Sequence, residues 1–394
     1  MAMEKKYIIT NSGSASRKYA LYEKDTQLFS CHIEEEGNGF VATISVKNKE
    51  HSIPVSYEDY SESENFLLKL LLSESLIKDK KEVSAIAFRI VAPGEYFYNT
   101  KKIDSEYIKK LKEAQKDIPL HISEVLVEIK KFKKLFPDAE SIGISDSAFH
   151  ATLPKHSRVY AIPESMTSIG IQRYGYHGIS LSSVLERMYK IFDQLPKRII
   201  VCHLGSGASI TALKDGKSFD TSMGFTPLEG LIMATRSGDI DPGAVVEIAR
   251  EKKLTLEKCE SYLNKESGLL GLSGFSSDIR ELLKGELSGD TRASFALEMY
   301  IYRIKKYIGS YIAALGGIDA LIFTATVGER SFVIREKICD ELKVFGIVLD
   351  KEKNNSIISK EGNIENNSSL IPVVVVPTNE ISEMAKETRI ILEL

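Results

Sequence analysis

The chain has 394 residues, and at roughly 150 residues per domain it accommodates two or three domains and a sizeable core. A 43% hydrophobic content excludes a disordered or fibrous chain, and 52 basic against 55 acidic side chains leave no net field that would draw nucleic acid or an anionic membrane. Apolar runs such as Ile371 to Val376 are strand-sized, the N-terminus MAMEKKYIIT lacks a signal peptide's apolar stretch, and Cys31, Cys202, Cys259 and Cys339 form no CxxC pair, so a reduced, cytoplasmic protein is expected.

In chain order, YIIT (7–10) reads as a short strand running into the turn cluster Asn11-Ser12-Gly13-Ser14, with KYALY as the returning strand. The arrangement recurs at RIIVCHL (198–204), Gly205-Ser206-Gly207, ASITALK and KSFDTS, the last two joined by the hairpin pair Asp215-Gly216. Two such units half a chain apart predict a duplicated architecture. Between them VSAIAFRIV (83–91) and SIGISDSAF (141–149) read as strands, and Ser105 to Lys134 has a helical period with a break at Pro119. Beyond the second hairpin, AVVEIAREKK and FALEMYIYRIKKYIGSYIAAL (295–315) are helical in spacing, and DALIFTATV (319–327) returns to strand. Lys351 to Ser369 is polar and Asn-rich, a surface excursion; the strand IPVVVVP then leads through Thr378-Asn379-Glu380 to a helix from about Ile381. Strands alternating with helices predict an α/β fold.

The Gly/Ser turns at 11–16 and 205–209 bring several backbone N–H groups to face an anion, although each alone is equally an ordinary hairpin turn. Their matching places in two repeats favour a polyphosphate. Gly216-Lys217-Ser218 is no P-loop, because Thr211 stands where that motif needs its first glycine. In DTSMGFTPLEGLIMATRSGDIDP (220–242) Arg236 is the one arginine; its planar fork suits phosphate or carboxylate, and equally a structural pair with Asp239 or Asp241. RYGYHG (173–178) has the composition of a pocket lining, where His177 is either a donor to a phosphoryl oxygen or a buried histidine held by backbone. Asp146, just after a strand, either faces a cleft or caps a helix. His150, Tyr174 and Tyr176 read first as packing residues, and His32, His51 and His156 lack metal-ligand spacing.

Taken in order, RYGYHG, CHLGSGAS, DTSMGFTPLEGL, TRSGDIDP and SGLLGLSGFSSDIR resemble the acetate kinase family, short-chain carboxylate kinases similar in fold to actin and hexokinase-type ATPases. The resemblance extends over most of the chain and is densest from Asp146 to Arg280. It implies two duplicated actin/hexokinase-like (ribonuclease H-like) α/β domains with the active-site cleft between them. Residues 1–150 plus 381–394 would form the acyl and magnesium side, and 151–380 the nucleotide side. The implied reaction is reversible phosphoryl transfer from ATP to acetate, giving acetyl phosphate and ADP, in a homodimer that binds Mg2+ and neither nucleic acid nor membrane.

By the same resemblance, Arg89 holds the substrate carboxylate, Arg236 lies across the transferring phosphoryl group, His177 donates to that group, and Asp146 is the active-site carboxylate. Asn11 and Glu380 match magnesium-associated positions and Lys18 a phosphate-side lysine. His203, Leu204, Gly205, Ser206 and Gly207 match the phosphate loop; Asp278, Ile279 and Arg280 match an adenosine-side segment. Val91, Leu120, Tyr176 and Pro227 fall where the family builds its acyl pocket, which separates chain lengths by only about 1–3 kcal/mol per methylene.

Several positions depart from that pattern. Ala92-Pro93-Gly94 replaces His-Gly-Gly, Ser206 an Asn, and Tyr176 a Phe. In TATVGER (324–330), Thr326, Val327, Gly328, Glu329 and Arg330 occupy the adenine loop, where the family is glycine-rich and ends in Asn. The phosphoryl-transfer set is retained while the donor loop is altered. This favours an active acyl phosphate-forming kinase, with propionate as acceptor, pyrophosphate as donor, or a non-catalytic nucleotide- or phosphate-binding protein as the alternatives.

Overall fold

The computed structural model describes residues 5–13, 16–36, 39–47 and 49–393. Ser14 of the first turn lies outside them, as does the side chain of Leu120. The chain divides into two compact units, Met1–Ala148 with Gly178–Ser180 and Asn379–Leu394, and Phe149–His177 with Leu181–Thr378.

The first unit holds an eight-stranded sheet. In chain order its strands are β1 (Lys6–Ser12), β2 (Ser16–Glu23), β3 (Thr26–Glu36), β4 (Gly39–Val46), β5 (Lys49–Val55), β6 (Val83–Ile90), β7 (Lys101–Lys102) and β8 (Glu140–Ser145), arranged β5-β4-β3-β2-β1-β6-β8-β7. The second unit holds β9 (Arg198–Leu204), β10 (Ala208–Lys214), β11 (Lys217–Thr221), β12 (Ala320–Thr324), β13 (Gly362–Asn363) and β14 (Val373–Val375), arranged β11-β10-β9-β12-β14-β13. Both sheets share one pattern. Three antiparallel strands, β3-β2-β1 and β11-β10-β9, are followed by two parallel ones, β6-β8 and β12-β14.

Alternation sets the cores. On one face of the first sheet Tyr7, Ile9, Ala20, Tyr22, Ala85, Ala87, Ile142 and Ile144 lie under Met384 and Ala385 of the helix Glu380–Leu392. In the second, Ile199, Val201, Leu213, Ala320, Ile322 and Val374 pack against Leu181, Val184 and Met188. Strands buried on both sides explain why β1 and β9 read as continuous apolar runs rather than alternating ones.

Local chemistry fixes the element ends. Pro119 occupies the first turn of the helix Pro119–Leu135, where its missing N–H costs nothing. Asp215 and Gly216, with φ of 50° and 73°, form the mirror-image turn that the β10–β11 hairpin needs. The helix Thr291–Leu315 starts four residues before the expected 295, because Asp290 accepts from the N–H groups of Arg292 and Ala293, and ends at Gly316 in the left-handed region.

Two expectations are corrected. The strand expected over 319–327 stops at Thr324, and Ala325–Arg330 is helical. Its partners run out, since Thr324 pairs with His203 and Phe323 with Val375 at the ends of β9 and β14. β-propensity alone cannot extend a strand without a ladder to join. The Asn-rich 351–369 region is not wholly surface: it contains the helix Lys351–Ser356, and Asn354 is buried.

Candidate active site

In the first unit, β1, β6, β8 and the helix Glu380–Leu392 carry polar side chains at the ends of otherwise apolar elements. Arg89 Nη2 donates to Asp146 Oδ2 at 2.8 Å, and Arg89 Nη1 reaches Asn11 Oδ1 at 3.4 Å. Asn11 Nδ2 donates to Glu380 Oε2 at 2.6 Å. Asn11, Arg89, Asp146 and Glu380 thus form one network. Lys18 lies opposite Asn11 in the β1–β2 ladder. Burial works against the charge on Arg89, yet Asp146 and Glu380 outweigh it and hold the guanidinium more firmly protonated than an exposed arginine. Its Nε is buried with no partner among the described residues. A buried donor left unmatched is costly, so an acceptor at this point would be tightly held. Asp146, directly after β8, is fully buried, and its carboxylate serves Arg89 of β6.

In the second unit the loop between β9 and β10 is the organising element. Gly205 N–H donates to the Gly207 carbonyl at 3.0 Å, and the Ser206 carbonyl accepts from Ala234 N–H at 3.1 Å. A Cβ on Gly207 would stand 3.3 Å from His177 Nε2 and 3.7 Å from Arg236 Nη1. Backbone, imidazole and guanidinium therefore converge at that glycine. The His177 and His203 rings stack with centroids 4.0 Å apart, and His177 Nδ1 shares a hydrogen bond of 3.0 Å with Ser209 Oγ. His177 itself sits in the left-handed region at φ 63°, the N-cap of the helix Gly178–Ile191.

Arg236 Nη1 approaches the Pro227 carbonyl at 3.4 Å. The two acids read as its alternative structural partners are engaged elsewhere: Asp239 with Arg303 at 3.4 Å and Tyr307 at 2.8 Å, and Asp241 as N-cap of the helix Pro242–Glu251. RYGYHG is anchored by Arg173, which donates to Glu229 at 2.6 Å and to the Thr221 carbonyl at 2.9 Å. Gly175 is required, since at φ 72° a Cβ would fall 2.7 Å from the His150 ring. His150 bridges Ser218 Oγ and the Tyr176 carbonyl, and so has a packing role.

The remaining residues are less concentrated. Val91 lies in the first unit near Arg89, whereas Tyr176, whose hydroxyl donates to the Phe225 carbonyl at 2.6 Å, and Pro227 belong to the second. Asp278 and Arg280 pair with each other at the start of the helix Ile279–Leu287, with Arg280 largely exposed and Ile279 buried. Leu204 is buried in β9. In the 324–330 segment Thr326 and Arg330 are exposed, Val327 is half-buried and Gly328 is buried. Glu329 Oε1 accepts from Thr378 N–H at 3.0 Å and Arg330 Nε donates to Ser359 at 3.0 Å.

Two residues near these groups escaped sequence reasoning. Ser209 orients His177; its signal was a polar residue inside the buried strand ASITALK, directly opposite His203. Arg335, fully buried, donates to the carbonyls of Gly328 (2.8 Å), Glu329 (3.0 Å), Asn354 (2.8 Å) and Ile357 (2.7 Å) and so fixes the 324–330 segment from beneath. No periodicity distinguishes it from a surface arginine.

Among the described residues, no cluster of three or more His, Cys, Asp or Glu is arranged to hold a metal ion, and no helix is long and apolar enough to cross a membrane. Two sheets with the shared strand pattern, helices on their faces and a polar network at the strand ends define an α/β protein of the actin/hexokinase-like ATPase fold. The chain belongs to the Acetokinase family, whose sequence model matches residues 6–386. It is 42% identical over 398 aligned positions to an acetate kinase of Thermotoga maritima, covering 98% of both chains. Among solved structures it is similar to Porphyromonas gingivalis acetate kinase (TM-score 0.84, 38% identity, 98% and 100% of the two chains). It is also similar to a propionate kinase from Francisella tularensis (TM-score 0.86, 35% identity, 97% and 98% covered). Members of the family are phosphotransferases with a carboxyl group as acceptor.

Proposed function

We propose that this chain transfers the γ-phosphoryl group of ATP to the carboxylate of a short acid, acetate in the first instance, giving an acyl phosphate and ADP. The observation that carries the reading is Arg89: a half-buried guanidinium, held charged by Asp146 and Glu380, with a buried, unmatched Nε that a substrate carboxylate would satisfy. The acid is ionised at neutral pH and needs no general base. Asp146 therefore acts by orienting Arg89. Phosphoryl transfer through a loose transition state needs position and countercharge more than covalent chemistry. His177, Arg236 and the backbone of 205–207 supply both on the phosphoryl side, and Ser209 fixes the imidazole plane. His203, stacked on His177, limits its motion.

Asn11 and Glu380 are the residues that would hold Mg2+. One amide and one carboxylate suit a hard octahedral ion that keeps water and phosphate oxygens as its other ligands, and among the described residues Glu380 Oε2 bonds only to Asn11. When bound, the ion would neutralise phosphate charge. The reading includes a homodimer, for which Phe295 and Tyr302 on the helix Thr291–Leu315 offer exposed aromatic surface; a monomer by light scattering at micromolar concentration would count against that part.

The test is hydroxamate formation from acetate with ATP, GTP and pyrophosphate in turn, repeated with propionate, which the likeness to a propionate kinase keeps in view. Product from acetate with ATP supports the reading. No product with any donor and any short acid would leave a non-catalytic binding protein.

A further inference from the structure

We propose that the cavity of the first unit running from Arg89 and Val91 to Arg17 receives a second, distal carboxylate of the acid substrate, so that the acids this chain phosphorylates include short dicarboxylic acids. The inference rests on the carboxylate-kinase reading above. The cavity has a volume of about 520 Å³, within the range of about 300–1,000 Å³ usual for small-molecule pockets and far more than an acetyl methyl fills. Arg89 and Val91 lie at one part of its wall, and Arg17, Tyr60, Ser63 and Glu128 also line it.

Arg17 is the second residue of β2, opposite Ser12 in the ladder. Its guanidinium lies 4.4 Å over the Tyr60 ring, and its Nη1 donates to the Tyr60 carbonyl at 2.8 Å and to the Ser63 hydroxyl. Among the described residues no carboxylate lies within ion-pair distance of it, and its Nε and Nη2 make no hydrogen bond. That edge is the one that grips a carboxylate through two parallel bonds. The arginine is thus fixed by neutral partners with its fork uncommitted, so little ordering remains to be done when an anion arrives.

The other carboxylates, the lysine and the second arginine of the wall are accounted for. Lys131 pairs with Glu62 at 3.3 Å and Glu64 at 3.5 Å, and Arg89 pairs with Asp146. Glu124 is exposed. Burial, with Glu64 and Glu124 adding to it, pushes the Glu128 carboxyl up to about 7 against the pull of Ser12 and Arg17, so near neutrality much of it is an uncharged acid. The charge left over is that of Arg17. In the reaction one carboxylate oxygen of the diacid attacks the γ-phosphorus of ATP, the bond from that phosphorus to the β–γ bridging oxygen breaks, and ADP leaves with the electron pair. The second carboxylate remains ionised against Arg17 and no proton is required.

The experiment measures kcat/KM for acetate, propionate, malonate, succinate and glutarate with ATP and Mg2+, in the wild-type chain and in Arg17→Leu and Arg17→Lys. Isothermal titration of glutarate serves as a readout without turnover, and circular dichroism checks that each variant is folded. At least one diacid should reach the kcat/KM of propionate or better. Arg17→Leu should lower the ratio of diacid to acetate kcat/KM by about ten- to a hundredfold, the worth of a hydrogen-bonded charge, and Arg17→Lys should lower it less, because charge is kept and the fork is lost. Turnover of acetate and propionate but of no diacid overturns the inference alone, as does an unchanged ratio in a folded Arg17→Leu. If no acid is turned over the kinase reading fails; glutarate binding that disappears in Arg17→Leu would then still support the cavity as a diacid site, and absent binding would end it.

Discussion

Glu128 gives a stability prediction whose sign and size follow from its surroundings. In an unfolded chain its carboxyl titrates near 4.5; in the folded protein burial raises it to about 7. Below pH 4.5 the group is neutral in both states and costs nothing. Between 4.5 and 7 the unfolded chain ionises first, so the native state loses ground with rising pH, and above 7 the loss is complete. At about 1.4 kcal/mol per pH unit the interval corresponds to about 3–4 kcal/mol, a ceiling because the side chain opens onto a cavity. Glu128→Gln keeps the shape and can accept the Ser12 hydrogen bond of 2.8 Å but never ionises. Its stability relative to wild type should therefore rise between pH 4.5 and 7.5 and then level off. Urea unfolding of both proteins followed by circular dichroism from pH 4.5 to 8 measures the difference, in which other titrating groups cancel. A difference that stays flat across that range would refute the reasoning, and one that falls would reverse its sign.

Arg89→Ala and Arg236→Ala should each cut kcat by about two to three orders of magnitude, the scale of losing one preorganised charge donor, with circular dichroism unchanged; near-normal turnover in a variant would remove that arginine from the mechanism. Glu380→Gln should raise the Mg2+ concentration for half-maximal activity by about tenfold or more, the scale of disturbing a metal's surroundings, read from magnesium titrations at fixed ATP. Ser209→Ala, which removes the Ser209–His177 hydrogen bond, should lower kcat more than it changes the KM for acetate; equal rates in the two proteins would mean the hydrogen bond does not position the imidazole. Ala325 carries a side chain at φ 64°, so Ala325→Gly should stabilise the folded protein by roughly 1 kcal/mol, the order of the left-handed penalty, and a lower melting temperature would contradict it.

The parts of the fold legible in the sequence were those with local causes. Glycine and aspartate at 215–216, Pro119 at a helix start and the apolar runs of β1, β6 and β9 each act through their own neighbours. The end of β12 could not be read this way, because it depends on where β9 and β14 stop, more than a hundred residues before and about fifty after it. The same holds at the site. The composition of RYGYHG and the resemblance of Arg236 to a known motif pointed to chemistry, but whether Arg236 paired with Asp239 was decided by Arg303 and Tyr307 on a distant helix. The Asn11–Glu380 contact joins residues 369 apart and came within reach only through the family resemblance. Arg17 had no signal at all, because a lone arginine at a strand start is common and its meaning lies in Tyr60 and Ser63 occupying the other side of it.

The altered 324–330 segment raised the question of whether the chain had lost its use for a nucleotide. A segment released from function would be expected to lose its supports along with its motif. Here the supports are intact and expensive. Arg335 is taken wholly out of water, its guanidinium pulled down to about 10 by that burial, and among the described residues no carboxylate pairs with it. It is compensated by hydrogen bonds to carbonyls of the segment itself and of the Asn354–Ile357 turn, with Asn354 Oδ1 accepting from Nε at 2.8 Å. Glu329 is tied in turn to Thr378, next to the Asn379 cap of the helix that bears Glu380. Buried charge without a counter-ion is tolerated only where its geometry is saturated. The polar excursion at 351–369 thus acts as the acceptor lattice that keeps the 324–330 backbone in one place. On the function proposed above, a changed side chain such as Thr326 on a backbone held this firmly fits an altered donor preference better than a discarded site.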